Sequence, residues 1–279
     1  MDVQAVVTAA LFLAALSGVL AVVLVVAAKK FAVVENPLIK EVEEVLPQYN
    51  CGGCGFPGCS GFARFMVETR DPDRTCPPGG QATKNRIAQI LGMESKGTTP
   101  TVAHIFCKGT DSKALNEGAF YGIQDCTAAD LVTAATKVCP YGCMGLGSCV
   151  TACTFDAIRI VDGVAEVIEE KCVACGACVK ACPRNLIAMI PQGARVYCEC
   201  RSKDRGAPVK KYCQVGCITC QLCVKACPTK AISLKDELII IDQELCTRCG
   251  ACIEKCPQHS ILGAHFELPP KAEAKEVVA

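Results

Sequence analysis

The chain has 279 residues, carries 29 Lys and Arg against 28 Asp and Glu, and contains 25 cysteines. An odd cysteine count in so long a chain, spaced in short repeated runs, excludes a disulfide scaffold. Three histidines are too few for the Cys/His pairs of zinc ribbons, and the near-neutral formal charge of +1 offers nucleic acid no footprint, so no nucleic-acid partner is expected.

Residues Val3 to Ala28 form an apolar run broken only by Gln4, Thr8, Ser17 and Gly18. It is long enough to cross a bilayer, which makes residues 1–30 a transmembrane anchor with lipid around residues 3–28. A cleaved signal peptide would begin with positive charge, whereas here Asp2 precedes the run and Lys29-Lys30 follow it. The positive-inside rule then puts the N-terminus outside and the rest in the cytoplasm, as a single-pass protein of the inner (plasma) membrane.

Residues 31–95 read as a small domain for one cluster. A helix is expected from Val33 to Tyr49, leading into Cys51-Gly52-Gly53-Cys54-Gly55-Phe56-Pro57-Gly58-Cys59, with Cys76 ahead of Pro77-Pro78. Glycines let backbone close round a cofactor and turn N–H groups to its sulfurs. A second short helix, Gly61 to Arg70, would pack Phe62, Phe65 and Met66. One [4Fe–4S] cluster on Cys51, Cys54, Cys59 and Cys76 follows.

Beyond residue 95 the sequence repeats itself. Cys172-x2-Cys175-x2-Cys178-x3-Cys182-Pro183 returns 74 residues later as Cys246-x2-Cys249-x2-Cys252-x3-Cys256-Pro257. This is the run by which ferredoxin-type folds hold [4Fe–4S] clusters. The same shift carries Cys126 to Cys200, Cys139 to Cys213, Cys143 to Cys217, Cys149 to Cys223 and Cys153 to Cys227. Fixed-period similarity means duplicated units. We divide them as 96–192 and 193–266, with 267–279 as a flexible tail rich in Lys, Glu and Ala. Hairpins are expected at Ala157 to Ile168, turning at Asp162-Gly163, and at Ala231 to Ile241, turning at Lys235-Asp236. The fold class is α+β: one transmembrane helix, a single-cluster domain and two tandem two-cluster ferredoxin-like units.

In such units the fourth cysteine of each run serves the other cluster. That crossing predicts one set of Cys217, Cys220, Cys223 and Cys256 and another of Cys227, Cys246, Cys249 and Cys252. In the first unit it predicts Cys153, Cys172, Cys175 and Cys178. The remaining set is defective, because Leu146 stands where the copy has Cys220. Cys139 is the expected substitute, joining Cys143, Cys149 and Cys182; the rival reading is a three-cysteine [3Fe–4S] site with Cys139 free. Five clusters bring about twenty thiolates, so the loaded chain carries about −9 rather than +1.

Cys107, Cys126, Cys198, Cys200 and Cys213 are left over. Phe106-Cys107 and Tyr197-Cys198 look like counterparts, and the register of these thiols points to a sixth cluster, against the alternative of ordinary buried thiols. Gly145-x-Gly147 is too short for a nucleotide loop, and no catalytic set of side chains stands out. Arg201 to Lys211 is rich in cations and reads as a solvated loop, with docking of an acidic electron carrier as the alternative.

The membrane helix, the Cys51-to-Cys59 motif with Cys76 and the ferredoxin repeats together resemble the B subunits of the Rnf complexes, over nearly the whole chain. Cys139-Pro140-Tyr141-Gly142-Cys143-Met144-Gly145-Leu146-Gly147-Ser148-Cys149 is similar to the longer forms from anaerobes; shorter members carry a single two-cluster unit. The resemblance implies membership of a six-subunit, ion-translocating ferredoxin:NAD⁺ oxidoreductase. The chain would take electrons from reduced ferredoxin at its distal clusters and hand them to membrane iron–sulfur and flavin subunits, while Na⁺ or H⁺ is moved. It holds no complete catalytic site of its own. The alternatives are a non-pumping redox adaptor for a regulator or another enzyme complex, and a cluster-bearing anchor.

Overall fold

The computed structural model describes residues 3–31, 36–95, 97, 99–132, 136–193 and 196–263. The expected flexible tail, 267–279, lies outside them. The first helix, α1 (Val3–Lys30), is apolar on every side, and Ala10–Lys30 has a mean hydropathy of 2.8 with none of it covered by the rest of the chain. A core helix of a soluble domain would be buried, so an exposed apolar helix of this length needs a lipid-like surrounding.

Three helices build the next body. In α2 (Pro37–Val45) Asn36 caps the start by accepting from the Leu38 N–H at 3.0 Å, and proline occupies the first turn, where its missing N–H costs nothing. The helix is thus shorter than the expected Val33 to Tyr49, of which residues 33–35 are outside the described set. With α3 (Cys59–Thr69) and α4 (Gly80–Leu91) it buries Val42, Leu46, Phe62, Ala63, Met66, Ile87 and Leu91 around Cys76.

The two units that follow share one plan. The first contains β1 (Thr101–Ile105), α5 (Cys126–Leu131), α6 (Ser148–Thr151), the hairpin β2 (Ile158–Val161) and β3 (Val164–Val167), α7 (Ala177–Ala181) and β4 (Ile187–Pro191). The second contains β5 (Val196–Cys198), α8 (Ala207–Tyr212), α9 (Leu222–Ala226), the hairpin β6 (Ile232–Lys235) and β7 (Leu238–Ile241), α10 (Ala251–Glu254) and β8 (Ile261–Gly263). In each unit the hairpin and an antiparallel pair of end strands (β1 with β4, β5 with β8) enclose the core. The first turn has Asp162 and Gly163 at φ 45° and 69°; the second has Asp236 and Glu237 at 47° and 68°. Both are two-residue turns of the primed type, which follow the twist of the strands. The second turn therefore sits one residue later than expected, because Lys235 pairs with Leu238 inside the ladder.

Strand register corrects the sequence pairing of the two units. Ile105 faces Ile187 and Cys198 faces Ile261, which lies 74 residues after Ile187. Likewise the Phe106 N–H donates to the Leu186 carbonyl at 2.8 Å, and the Glu199 N–H to that of Ser260, the equivalent residue, at 2.7 Å. Cys107 therefore corresponds to Cys200, not to Cys198. These two equivalent cysteines pair with each other in an isolated antiparallel bridge, which puts a local two-fold relation between the units at that point. Around the joint, His104 Nε2 lies 2.9 Å from the Glu199 carboxylate, and Arg201 stacks on Phe106 at 4.1 Å.

Candidate electron-transfer site

The cysteine loops owe their shape to left-handed residues at fixed places. Ala174 and Gly176, Arg248 and Gly250, Thr219 and Gln221, and Gly145 and Gly147 all have φ between 53° and 84°. Alternating right- and left-handed residues turn successive N–H groups inward, making a concave site for negative charge. At Gly145 no side chain fits, since a Cβ would stand 2.7 Å from the Gly163 carbonyl. Backbone N–H groups reach the sulfurs themselves: Ala157 to Cys153 and Leu186 to Cys182 at 3.4 Å, and Ser260 to Cys256 at 3.3 Å.

The structure gathers the cysteines in fours. Cys76 faces Cys54, Cys59 and Cys51, and burial followed by these neighbours pushes its thiol up to about 11. Cys178 faces Cys172, Cys175 and Cys153, with a pKa likewise raised to about 11 by burial first. Cys223 lies with Cys217, Cys256 and Cys220, and Cys252 with Cys246, Cys249 and Cys227. In each two-cluster group the residue before proline crosses to the other loop.

The defective set is completed differently from the expectation. Cys149 faces Cys143, Cys126 and Cys182, and the four line one apolar cavity with Ile105, Met144, Leu186 and Ile187. Cys126, not Cys139, is the fourth member. The reason is local: Asp125 caps α5 by accepting from the Ala128 N–H, Ser148 donates to Asp125 at 2.7 Å, and the Cys126 N–H donates to Ser148 Oγ at 2.6 Å. The Ser148 contact holds the Asp125 carboxyl below its usual range and pins the start of α5 against the cysteine loop. Cys139 is held away by Arg184, whose guanidinium donates to the Cys139 and Gly142 carbonyls at 3.2 and 2.8 Å.

Cys139 instead meets Cys107 and Cys213, and Cys200 lies beside Cys107. These four line a cavity at the joint between the units, walled by Phe106, Val209, Tyr212 and Gly216. Two come from each unit at equivalent positions, Cys107 with Cys200 and Cys139 with Cys213. Burial first, then neighbouring thiolates, raises Cys139 to about 11 and Cys200 to about 12. The buried Arg201 Nε, which has no hydrogen-bond partner, lines the same cavity, as does Lys137, 1 % exposed. Cations held against a pocket of thiols fit an anionic occupant. Cys198 stays outside all six fours: it occupies the core position held by Ile105 in the first unit, buried at 5 %, and hydrogen-bonds to Cys217, which lowers the Cys217 thiol pKa.

Among the described residues no three His, Cys, Asp or Glu side chains converge tightly enough for a single ion. Zinc, with Zn–S bonds of about 2.3 Å, would draw its ligands together. Fours of cysteine spaced round apolar cavities, with N–H groups aimed at sulfur, suit iron–sulfur cubanes.

Sets of this kind on duplicated ferredoxin-like units define a multi-cluster electron-transfer protein. Known relatives narrow that class. The chain matches an Fe-S cluster family over residues 46–78, the 4Fe-4S binding domain family over 165–188 and the 4Fe-4S dicluster domain family over 216–261. It is 44% identical over 237 residues to the B subunit of the proton-translocating ferredoxin:NAD(+) oxidoreductase complex of Clostridium ljungdahlii, covering 84% of each chain. It is 39% identical to the B subunit of the ion-translocating oxidoreductase complex of Methanosarcina acetivorans, covering 89% of this chain and 95% of that one. With the B subunit of the Na(+)-translocating ferredoxin:NAD(+) oxidoreductase complex of Acetobacterium woodii it shares 37% identity, over 86% of this chain and 72% of the relative. This chain belongs to the family of B subunits of Rnf-type ion-translocating oxidoreductases.

Proposed function

We propose that the chain is the membrane-anchored electron relay of an ion-translocating ferredoxin:NAD⁺ oxidoreductase complex. The observation that carries this reading is the order of the six cysteine sets. Cys175 lies beside Cys51, and the Cys143 N–H donates to Cys107 Sγ at 3.4 Å. Cys200 lies beside Cys217. Within each unit the two cysteine helices pack together, α6 on α7 and α9 on α10. The sets thus form one row: Cys51/Cys54/Cys59/Cys76, then Cys153/Cys172/Cys175/Cys178, Cys126/Cys143/Cys149/Cys182, Cys107/Cys139/Cys200/Cys213, Cys217/Cys220/Cys223/Cys256 and Cys227/Cys246/Cys249/Cys252.

Each set would hold one [4Fe–4S] cluster, six in all, and such a cluster supplies one-electron transfer. The set shared between the units closes what would otherwise be a gap between two separate ferredoxins. Reduced ferredoxin is the donor at the distal end. Membrane iron–sulfur and flavin subunits are the acceptors at the anchored end, with α1 crossing the plasma membrane from an outside N-terminus. Coupling of ferredoxin oxidation to NAD⁺ reduction and to Na⁺ or H⁺ movement belongs to the assembled complex, since no dinucleotide-binding motif occurs here.

Two measurements test this. Iron in the anaerobically isolated chain should be about 24 atoms, against about 20 for five clusters. A tagged chain drawn from membranes in mild detergent should bring flavin and iron–sulfur subunits and reduce NAD⁺ with reduced ferredoxin. A loaded chain that arrives with a regulator or another enzyme, without that activity, would place the relay in a different circuit.

A further inference from the structure

The two ferredoxin units present the same face in two states. In the first, the loop around Cys175 is covered: a Cβ at Gly53 would stand 2.7 Å from the Cys175 carbonyl, so backbone of the single-cluster domain rests directly on that ligand. Tyr49 of that domain meets Phe155 edge-on at 5.0 Å. A shift of 74 residues carries Cys175 to Cys249. There the same loop, with the same left-handed residue before the cysteine (Ala174 at 57°, Arg248 at 60°), is open. Cys249 and Arg248 are exposed, and Leu245 is 55 % exposed.

We propose that the Cys249 face is the electron-entry port, and that it docks a small acidic iron–sulfur protein in the place where Cys175 receives the single-cluster domain. This rests on the relay reading above and names where its donor binds. The repeat itself supplies the occupant, because the equivalent face already takes a cluster-bearing body with its ligand Cys51 beside Cys175. Side-chain exchanges at the loop fit a separate and transient partner. Ala174 becomes Arg248, Asp156 becomes Lys230 in the turn that follows Cys227, and the aromatic Phe155 becomes Thr229. On the helix behind the loop, Lys180 becomes Glu254 and Ala181 becomes Lys255, so the cationic gain sits at the loop. Each [4Fe–4S] cluster with four thiolates leaves a net negative charge on its protein, which a cationic, largely polar rim attracts and releases quickly. The step is one electron leaving the donor's reduced cluster, which is oxidised, and entering this chain, which is reduced; no bond or proton moves.

The test uses the full chain and an acidic two-cluster ferredoxin, reduced beforehand and freed of reductant, with stopped-flow absorbance as the readout. Arg248→Glu with Lys230→Glu should slow reduction by ferredoxin roughly tenfold at low salt and flatten the salt dependence. Iron content and reduction by dithionite should stay at wild-type levels. Lys40→Glu with Arg86→Glu, the same charge change on the single-cluster domain, should leave the ferredoxin rate unaltered. If the port variant accepts electrons as fast as wild type with the same salt dependence, the port is wrong and the relay stands. Wild type that dithionite reduces but ferredoxin does not would bring down both. A change in oligomeric state on Arg248→Glu, with the ferredoxin rate intact, would assign the face to a second copy of this chain and overturn the proposal.

Discussion

Loop for loop, the two ferredoxin units keep one backbone and differ in who supplies the ligand. Gly145 and Gly147 take the same left-handed conformations as Thr219 and Gln221, yet Leu146 replaces Cys220 between them. The first unit makes good the loss from a segment the second lacks. Cys107 and Cys139 are 32 residues apart whereas Cys200 and Cys213 are 13 apart, and α5 with Cys126 lies in the longer stretch. A cluster site constrains where four sulfurs stand, not which part of the chain brings them. Duplication kept the cavity while one unit exchanged a ligand, and the covered Cys175 against the open Cys249 shows the same freedom at the surface.

That comparison breaks most visibly at Cys126. Cys126→Ser should lower iron from about 24 to about 20 per chain, and adding Leu146→Cys should return it, by rebuilding the pattern of the second unit. Iron unchanged in the single variant would remove Cys126 from the set. A smaller effect is expected at Gly53→Ala, where the new methyl meets the Cys175 backbone. Forced overpacking costs about 1–3 kcal/mol. We expect a lower melting temperature for the single-cluster domain and weaker magnetic coupling between its cluster and the neighbouring one, with iron still at about 24. The smallest change belongs to Cys198→Val, which moves this position toward the aliphatic core residue of the first unit. It should keep full iron and lose less than about 1.5 kcal/mol of stability, read by thermal unfolding.

Much of the site was legible because cluster ligation leaves a strict spacing. The runs ending in Pro183 and Pro257, the crossing of their fourth cysteines and the Cys51 motif all follow from chain order, and the structure brings those residues together as that order implies. The hairpins were legible from alternation, with the second turn displaced by one residue. Two assignments failed for a common reason. Adding a constant 74 aligned Cys126 with Cys200 and Phe106-Cys107 with Tyr197-Cys198, but the shift does not hold across an insertion. Only the strand register, with Ile187 and Ile261 as fixed points, reset the pairing to Cys107 with Cys200. The 19-residue difference between the two intervals was the signal that could have warned of it.

The sequence by itself determined that this protein carries one apolar spanning segment, a single-cluster motif and a duplicated two-cluster unit, because those properties are written in composition, spacing and period. Tertiary structure decided which thiols share a cavity, since contacts between Cys139 and Cys213, or between Cys126 and Cys182, join points far apart in the chain that no local pattern links. It also decided that the two units meet through equivalent cysteines, and that Gly53 lies on Cys175 while Cys249 stays open. Those are consequences of packing two copies face to face, and packing is settled by the shapes of whole surfaces rather than by any one stretch of residues.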